Sequence, residues 1–390
     1  MNTLKEIGKV FYGKKYTIYS ELDKQPCADH DRSTGEGVGP QEYVGIKIKL
    51  LEYPDSLKSF VGKNVYLVAA TLRPETMYGQ TNCYVLPEAE YGVYAMKNDE
   101  FYVMSERAAR NFSFQELTVE YGKYPSLAKV TGQDLIGKAL SAPLSHYEKV
   151  YALPMTTISM EKGTGIVTSV PSDSPDDWAA LRDLQTKAGL REKYNVEEAW
   201  CVPFAPVPII NIPEFGDLTA VKLVEDLKIA SQKDTALLKQ AKDKAYLKGF
   251  YEGKLLVGIA KGETVEKSKP IVKQHLFDEK MAVPYYEPEG KVVSRTGDNC
   301  IVASCYQWFM RYGEEEWKEF VRSHLKSDDF KAYNTKTQHE FEIIIDWLKE
   351  WGCTRTQGLG TLLPWDDKFK VESLSDSTIY MAYYTVAGLL

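Results

Sequence analysis

The stretch Asn64-Val-Tyr-Leu-Val-Ala-Ala70, running directly into Thr71-Leu-Arg-Pro-Glu-Thr76, decides how this chain is read. Its apolar half reads as a buried strand and its polar, proline-bearing half as the loop at the strand's end. The pattern recurs further on, where Gly165-Ile-Val-Thr-Ser-Val170 reads as a strand, opened by Gly163-Thr-Gly165 and followed by Ser172-Asp-Ser-Pro-Asp-Asp177. Binding residues tend to lie on loops held at strand ends by a rigid scaffold, so two distant loops of such composition predict one shared site.

Working outward, Val44, Ile46, Ile48 and Leu50 alternate with Lys47 and Lys49, the period of a half-buried strand with its lysines on the opposite face. Further strands are predicted over 15–20, 82–86, 101–104, 149–154 and 165–170. Ser174-Pro-Asp-Asp177 supplies an N-cap, a proline at the first helical position and an acid at the third, ahead of Trp178, Leu181 and Leu184 at helical spacing. The Lys-, Ala- and Leu-rich stretch from Leu218 to Lys248 reads as a helical hairpin broken near 230–234. Helical patterns follow over 313–326 and 339–352, and Ser375-Asp-Ser-Thr378 opens a terminal helix. Many short strands with peripheral helices, and no regular strand–helix alternation, predict an α+β fold with a β-barrel-like core rather than a doubly wound sheet.

A length of 390 residues predicts two or three compact units. With 48 Lys and Arg against 55 Asp and Glu, the net charge of −7 excludes a surface that grips a polyanion throughout, so any nucleic-acid contact must be local. The six cysteines contain no CxxC pair, which predicts reduced thiols and a cytoplasmic setting. Cys27-x-x-His30 and Cys300-x4-Cys305 lack a partner pair at zinc-site spacing, so no metal is expected. No stretch approaches the roughly 20 apolar residues of a membrane span, and Met1-Asn-Thr-Leu-Lys-Glu6 lacks the layout of a secretion signal.

The words Thr71–Thr76, Gly163–Gly165 and Ser172–Asp177 resemble those of the editing domain of leucyl-tRNA synthetases, most closely the eukaryotic and archaeal branch. The resemblance runs from Lys15-Tyr-Thr-Ile-Tyr19 to the last residues. It implies an opening segment over 1–36 from a catalytic core, an editing (CP1) domain over 37–289, and a partial return to the aminoacylation core over 290–390. The outer parts would be pieces of a Rossmann-type class I synthetase core. Within them, Trp351-Gly-Cys-Thr-Arg-Thr-Gln-Gly-Leu-Gly-Thr361 and Ser375–Tyr380 look like parts of a leucine and aminoacyl-adenylate site. The ATP-positioning words H-I-G-H and K-M-S-K-S of that class do not occur, so the chain is expected to be a fragment of a longer ligase. ATP and Mg would serve only that parent, and editing would need no cofactor. The implied partner is the acceptor end of tRNA(Leu) carrying isoleucine, valine, methionine or norvaline. The implied activity is hydrolysis of that ester by a positioned water, in a monomeric protein. The alternative is a non-catalytic tRNA-binding or protein-interaction fragment, with Lys-rich 232–248 as its contact surface.

Site roles carry over residue by residue. A hydrophobic pocket separates one methylene by only about 1–3 kcal/mol, so a second, excluding sieve is needed. Thr76 matches the position that excludes the cognate leucine by bulk, and a β-branched side chain suits it because its χ1 is stiff. Thr71 would orient water or donate to the oxyanion, Arg73 would engage ribose, phosphate or acyl oxygen, and Leu72 lies between them at the substrate. Read from the residues alone, Arg-Pro-Glu is a surface turn capped by hydroxyls. Asp177 matches the acid that binds the α-ammonium of the misattached amino acid. Read alone, Ser174-x-x-Asp177 is a capping box. Asp173 and Asp176 are alternative ligands, and Ser172 is assigned with Asp173 to substrate binding. Gly163, Thr164 and Gly165 would let backbone approach a ligand, with Thr168 and Val170 lining the acyl pocket, although a tight turn explains the glycines equally well. Met155-Thr-Thr-Ile-Ser159 is placed near the terminal adenosine. The five histidines sit in unrelated contexts and no Ser or Cys carries an elbow-type flank, which fits direct attack by water.

Overall fold

A computed structural model describes residues 1–358 and 360–389 and divides the chain into two compact units, 1–39 with 290–390, and 40–289. In the first unit, β1 (Val10–Ser20) pairs antiparallel with the strand Ile301–Arg311 at the centre of a four-stranded sheet. Helices Glu315–Leu325, Thr335–Trp347 and Ser373–Val386 follow. The last of these starts two residues before the expected Ser375, because the carboxylate of Glu372 accepts the N–H groups of Leu374 and Ser375 at 2.9 and 3.0 Å and so supplies the N-cap. Every described strand pair in this unit is antiparallel; no parallel crossover of the expected Rossmann type occurs among the described residues. Leu359, within the expected Thr354–Thr361 turn, lies outside the described residues.

The second unit is built on one ten-stranded sheet. Its centre is β2 (Pro40–Leu50), which pairs antiparallel with β3 (Asn64–Thr71) on one edge. Beyond β3 lie β4 (Glu100–Met104), parallel to it, and then the strands Glu90–Ala95 and Ala128–Thr131. On the other edge β2 takes two partners, Ala282–Pro288 along its first half and Ala139–Ser141 along its second. The sheet continues through Val150–Pro154 and Asn82–Val85 to Ile166–Ser169. Strands over 90–95, 128–131, 139–141 and 282–288 were not among those the sequence pattern singled out.

The apolar stretch of β3 is explained by burial on both faces. Val65, Leu67 and Ala69 join the main core with Ile46, Ile48 and Leu153, while Tyr66, Val68 and Ala70 face a second cluster centred on Phe112 and Tyr285. That second cluster is roofed by the helix Glu106–Phe114, whose N-cap Ser105 accepts the Ala108 N–H at 3.3 Å. The rings of Phe112 and Tyr285 stack with centroids 4.7 Å apart, worth about 1 kcal/mol beyond area burial. The roof also corrects the expectation for Lys47. It is only 6% exposed, its ammonium paired with Glu100 at 2.8 Å and lying 5.0 Å from the Tyr66 ring centroid, because the face expected to meet solvent is itself covered.

The expected barrel does not close. Its terminal strands, Ile166–Ser169 and Ala128–Thr131, each pair on one side only. The sheet nevertheless curls, since the Ser105 N–H just after β4 donates to the Thr164 carbonyl at 2.9 Å, although several strands separate them in sheet order. A ladder cannot continue there, because Gly163 and Gly165 take φ of 64° and 77°, left-handed values that end a strand. That meeting point of loops forms one wall of a cleft.

Candidate active site

The cleft, about 790 Å³, brings together Thr71–Arg73, Thr76, Gly163–Gly165, Thr168, Val170, Asp173, Ser174, Asp176 and Asp177, so both polar loops do share one site. Ser172 is not part of the lining. It is buried beneath, its carbonyl accepting the Ala220 N–H at 3.1 Å and so anchoring the helix Thr219–Asp226.

At the end of β3 the backbone turns into a 3-10 helix, Pro74–Gly79, with proline at its first position. Both threonine hydroxyls serve the turn, as expected from the residues alone, but it is no surface turn, since Pro74, Glu75 and Thr76 are buried. The Thr71 Oγ1 accepts the Arg73 N–H at 3.0 Å, and the Thr76 Oγ1 donates to the Arg73 carbonyl at 2.8 Å. These bonds also shape what faces the cleft. Thr71 accepts through its hydroxyl oxygen, while the Thr76 hydroxyl is turned back on the backbone. Arg73 is largely committed. Its guanidinium pairs with Asp173, lies 3.4 Å from the Glu75 carboxylate through Nε, and stacks over Tyr246 at 4.5 Å. Burial disfavours the charged guanidinium, but Asp173, Glu75 and Tyr246 outweigh it and hold the group above its ordinary range. Asp173 is thus an internal counter-charge.

The helix Pro175–Thr186 begins after Ser174 as expected, yet the capping box does not form, since no side-chain cap bond reaches Ser174. The Asp177 carboxylate instead accepts the Val170 N–H at 2.8 Å, at the end of Ile166–Ser169. Asp176 pairs with Lys242 at 2.7 Å and Asp173 with Arg73, so among the described residues Asp177 is the cleft-lining carboxylate with no ion-pair partner. Burial, with a smaller push from Asp176, raises its pKa from 3.8 to about 7 against the Val170 N–H, Ser174 and Lys242.

The helix Thr235–Glu252 closes the cleft with Lys239, Lys242 and Tyr246, in the stretch that the sequence reading offered only as the contact surface of a non-catalytic fragment. Their spacing of three and four was the available signal. It was obscured because the helix's buried stripe, Leu238, Ala241, Ala245 and Gly249, is made mostly of small residues. Tyr43 and Gln232 also line the cleft unforeseen. Met155, Thr157, Ile158 and Ser159 line it too, while Thr156 turns away, its N–H and hydroxyl donating to the Gln232 Oε1 at 3.3 and 3.4 Å. The arrangement offers a carboxylate without an ion-pair partner in one cleft with two threonines, with a lysine-bearing helix along one side.

A search of protein-family models matched none to this chain. Among solved structures, that of GlLeuRS-CP1 is similar at 38% identity and a TM-score of 0.59, over 63% of this chain and 99% of that one. The P. knowlesi cytosolic leucyl-tRNA synthetase editing domain is similar at 29% identity and a TM-score of 0.57, over 63% and 96%. The large sheet is therefore that of an aminoacyl-tRNA synthetase editing domain. The whole chain is also 52% identical to the cytoplasmic leucine–tRNA ligase of Pongo abelii, covering 33% of it. The chain belongs to the leucyl-tRNA synthetase family. It spans about a third of the length of the curated relatives it matches.

Proposed function

We propose that the 40–289 unit hydrolyses the ester between tRNA(Leu) and a wrongly attached isoleucine, valine, methionine or norvaline. The observation that carries this reading is the buried, unpaired Asp177 carboxylate lining the same cleft as Thr71 and Thr76. An α-ammonium entering the cleft would find its counter-charge there, and in doing so would restore the ionised form that burial suppresses. The acyl side chain would then lie toward Thr76, whose hydroxyl bond to Arg73 holds its χ1 and lets its methyl act as a stop for leucine. Thr71 would orient the attacking water or meet the oxyanion. Lys239, which lines the cleft, would meet ribose–phosphate, with Lys242 beside it held by Asp176, while Arg73 would act through its hold on Asp173 and Tyr246. No cofactor enters this chemistry. ATP and Mg would serve only the longer ligase, whose Rossmann-type aminoacylation core the 1–39 and 290–390 segments would help to build. The expected setting is the cytoplasm, as a monomer.

The test is deacylation of Ile-tRNA(Leu) and Leu-tRNA(Leu) by this chain and by Thr76→Ala. Loss of isoleucine with leucine spared, and leucine released about 10- to 100-fold faster by the variant, supports the sieve. Retained tRNA binding with no hydrolysis of either ester would favour a non-catalytic module instead.

A further inference from the structure

The strand Ala282–Pro288 carries a fully buried carboxylate, Glu287, that the reaction does not use. Its two oxygens each accept the Gly163 N–H at 3.0 Å. The same carboxylate accepts Arg107 Nη1 at 2.7 Å and the Tyr285 hydroxyl at 3.0 Å. Arg107, itself only partly buried, also reaches the Gly163 carbonyl at 3.5 Å, so both polar groups of one cleft-lining residue are held by a single ion pair. The rest of the loop is pinned independently. Ser105 N–H holds the Thr164 carbonyl at 2.9 Å, and the Tyr91 hydroxyl holds that of Gly165 at 2.8 Å.

Two details give the anchor a consequence for substrate choice. A Cβ built on Gly163 would lie 3.7 Å from the Cβ of Ala70, the residue just before Thr71, so no more than the space of one methyl group separates this loop from the root of the Thr71–Thr76 loop. The separation of the two loops at this point is therefore set by where Gly163 is held. A buried charge also has no reason to lie behind a simple turn, since desolvating it is costly unless its bonds are needed. Gly163 N–H needs an acceptor, and the left-handed φ of 64° denies it a strand partner.

We propose that Glu287 is a positioning residue for selectivity: by fixing the Gly163 N–H, with Arg107 as its counter-charge, it holds the Gly163–Gly165 loop against the Ala70–Thr76 wall and so sets the width of the acyl sieve. This rests on the editing reading above. Without the anchor the loop relaxes outward and the cleft admits leucine.

The experiment compares wild type, Glu287→Gln, Glu287→Ala and Tyr285→Phe. The readouts are the ratio of kcat/KM for Ile-tRNA(Leu) over Leu-tRNA(Leu), and calorimetric binding of non-hydrolysable amide analogues of isoleucyl- and leucyl-adenosine. Glu287→Ala is expected to lower the ratio at least ~10-fold and to tighten the leucyl analogue relative to the isoleucyl one, as for loss of one methylene of discrimination. Glu287→Gln keeps an acceptor for Gly163 and the shape of the side chain, and is expected to stay within about 3-fold of wild type. Tyr285→Phe removes a bond to Glu287 without touching Gly163 and is expected to leave the ratio unchanged. A merely structural role would lower both rates together and leave the ratio fixed in every variant, which would overturn the proposal. If Glu287→Ala does not fold, an unchanged analogue preference in Arg107→Met, which strips the counter-charge, overturns it equally, and a shift toward leucyl upholds it. A wild-type chain that neither hydrolyses Ile-tRNA(Leu) nor binds the isoleucyl analogue removes the editing reading, and this inference with it.

Discussion

Replacing Asp177 by asparagine separates what this carboxylate does for the fold from what it does in the cleft. The asparagine Oδ1 can still accept the Val170 N–H that Asp177 accepts at 2.8 Å, so the strand end stays held while the buried charge disappears. In the wild type, burial raises the carboxyl from 3.8 to about 7. The folded chain therefore keeps a proton that the unfolded chain has already lost between those values. The contribution is favourable below the lower value, declines as pH rises through the window, and is level above the upper one. From pH 5.5 the decline runs about 1.5 units before levelling near 7, and at about 1.4 kcal/mol per unit it amounts to ~2 kcal/mol by pH 8. Urea unfolding of both proteins at pH 5.5 and 8 should show the variant gaining that ~2 kcal/mol on the wild type over the interval, in the transition that belongs to 40–289. The same variant should lose Ile-tRNA(Leu) deacylation by ~10- to 100-fold, the cost of one charged hydrogen bond to the ammonium. Wild-type kcat/KM should fall as the pH drops below about 7, where the carboxyl takes up its proton. Parallel pH dependences of stability in the two proteins would refute the argument that Asp177 is a destabilising charge kept for a ligand.

Asp173→Ala should destabilise the chain by about 3 kcal/mol in urea, since it strips the main counter-charge from a half-buried Arg73, and Arg73→Met in the same background should recover part of that loss. A loss under 1 kcal/mol would mean that Arg73 is free to turn to the substrate after all. Phe112→Ala should cost roughly 3–5 kcal/mol, because the ring is fully buried and stacked on Tyr285, and the loss should leave the isoleucine-to-leucine ratio unchanged in the folded fraction. A changed ratio would tie the roof of the second core cluster to the sieve.

Much of this is legible in the amino-acid sequence. The alternation of Val44, Ile46, Ile48 and Leu50, the run over 64–70 and the Ser174-Pro175 helix start are local patterns, and local sterics and burial periodicity act on them wherever they occur. The broken helical stretch also divides where the sequence divides it, into Thr219–Asp226 and Thr235–Glu252. The strands over 90–95 and 282–288 escaped, since tyrosine-, glycine- and proline-containing segments carry a weak period and gain their strand identity from the neighbours they pair with.

The site divides in the same way. That Thr71–Thr76 and Ser172–Asp177 lie at strand ends is a property of their own composition, which the amino-acid sequence settles alone. Which carboxylate stays without an ion-pair partner is not, because Asp173 and Asp176 are met by charges that distant segments bring, Arg73 from the other loop and Lys242 from a helix, whereas Asp177 accepts a backbone amide from its own loop. The same holds for Glu287, silent in the sequence and decisive in place. A residue's chemistry is local, but its charge state and its freedom to meet a ligand depend on desolvation and on neighbours within a few ångströms, and only the packed chain determines those.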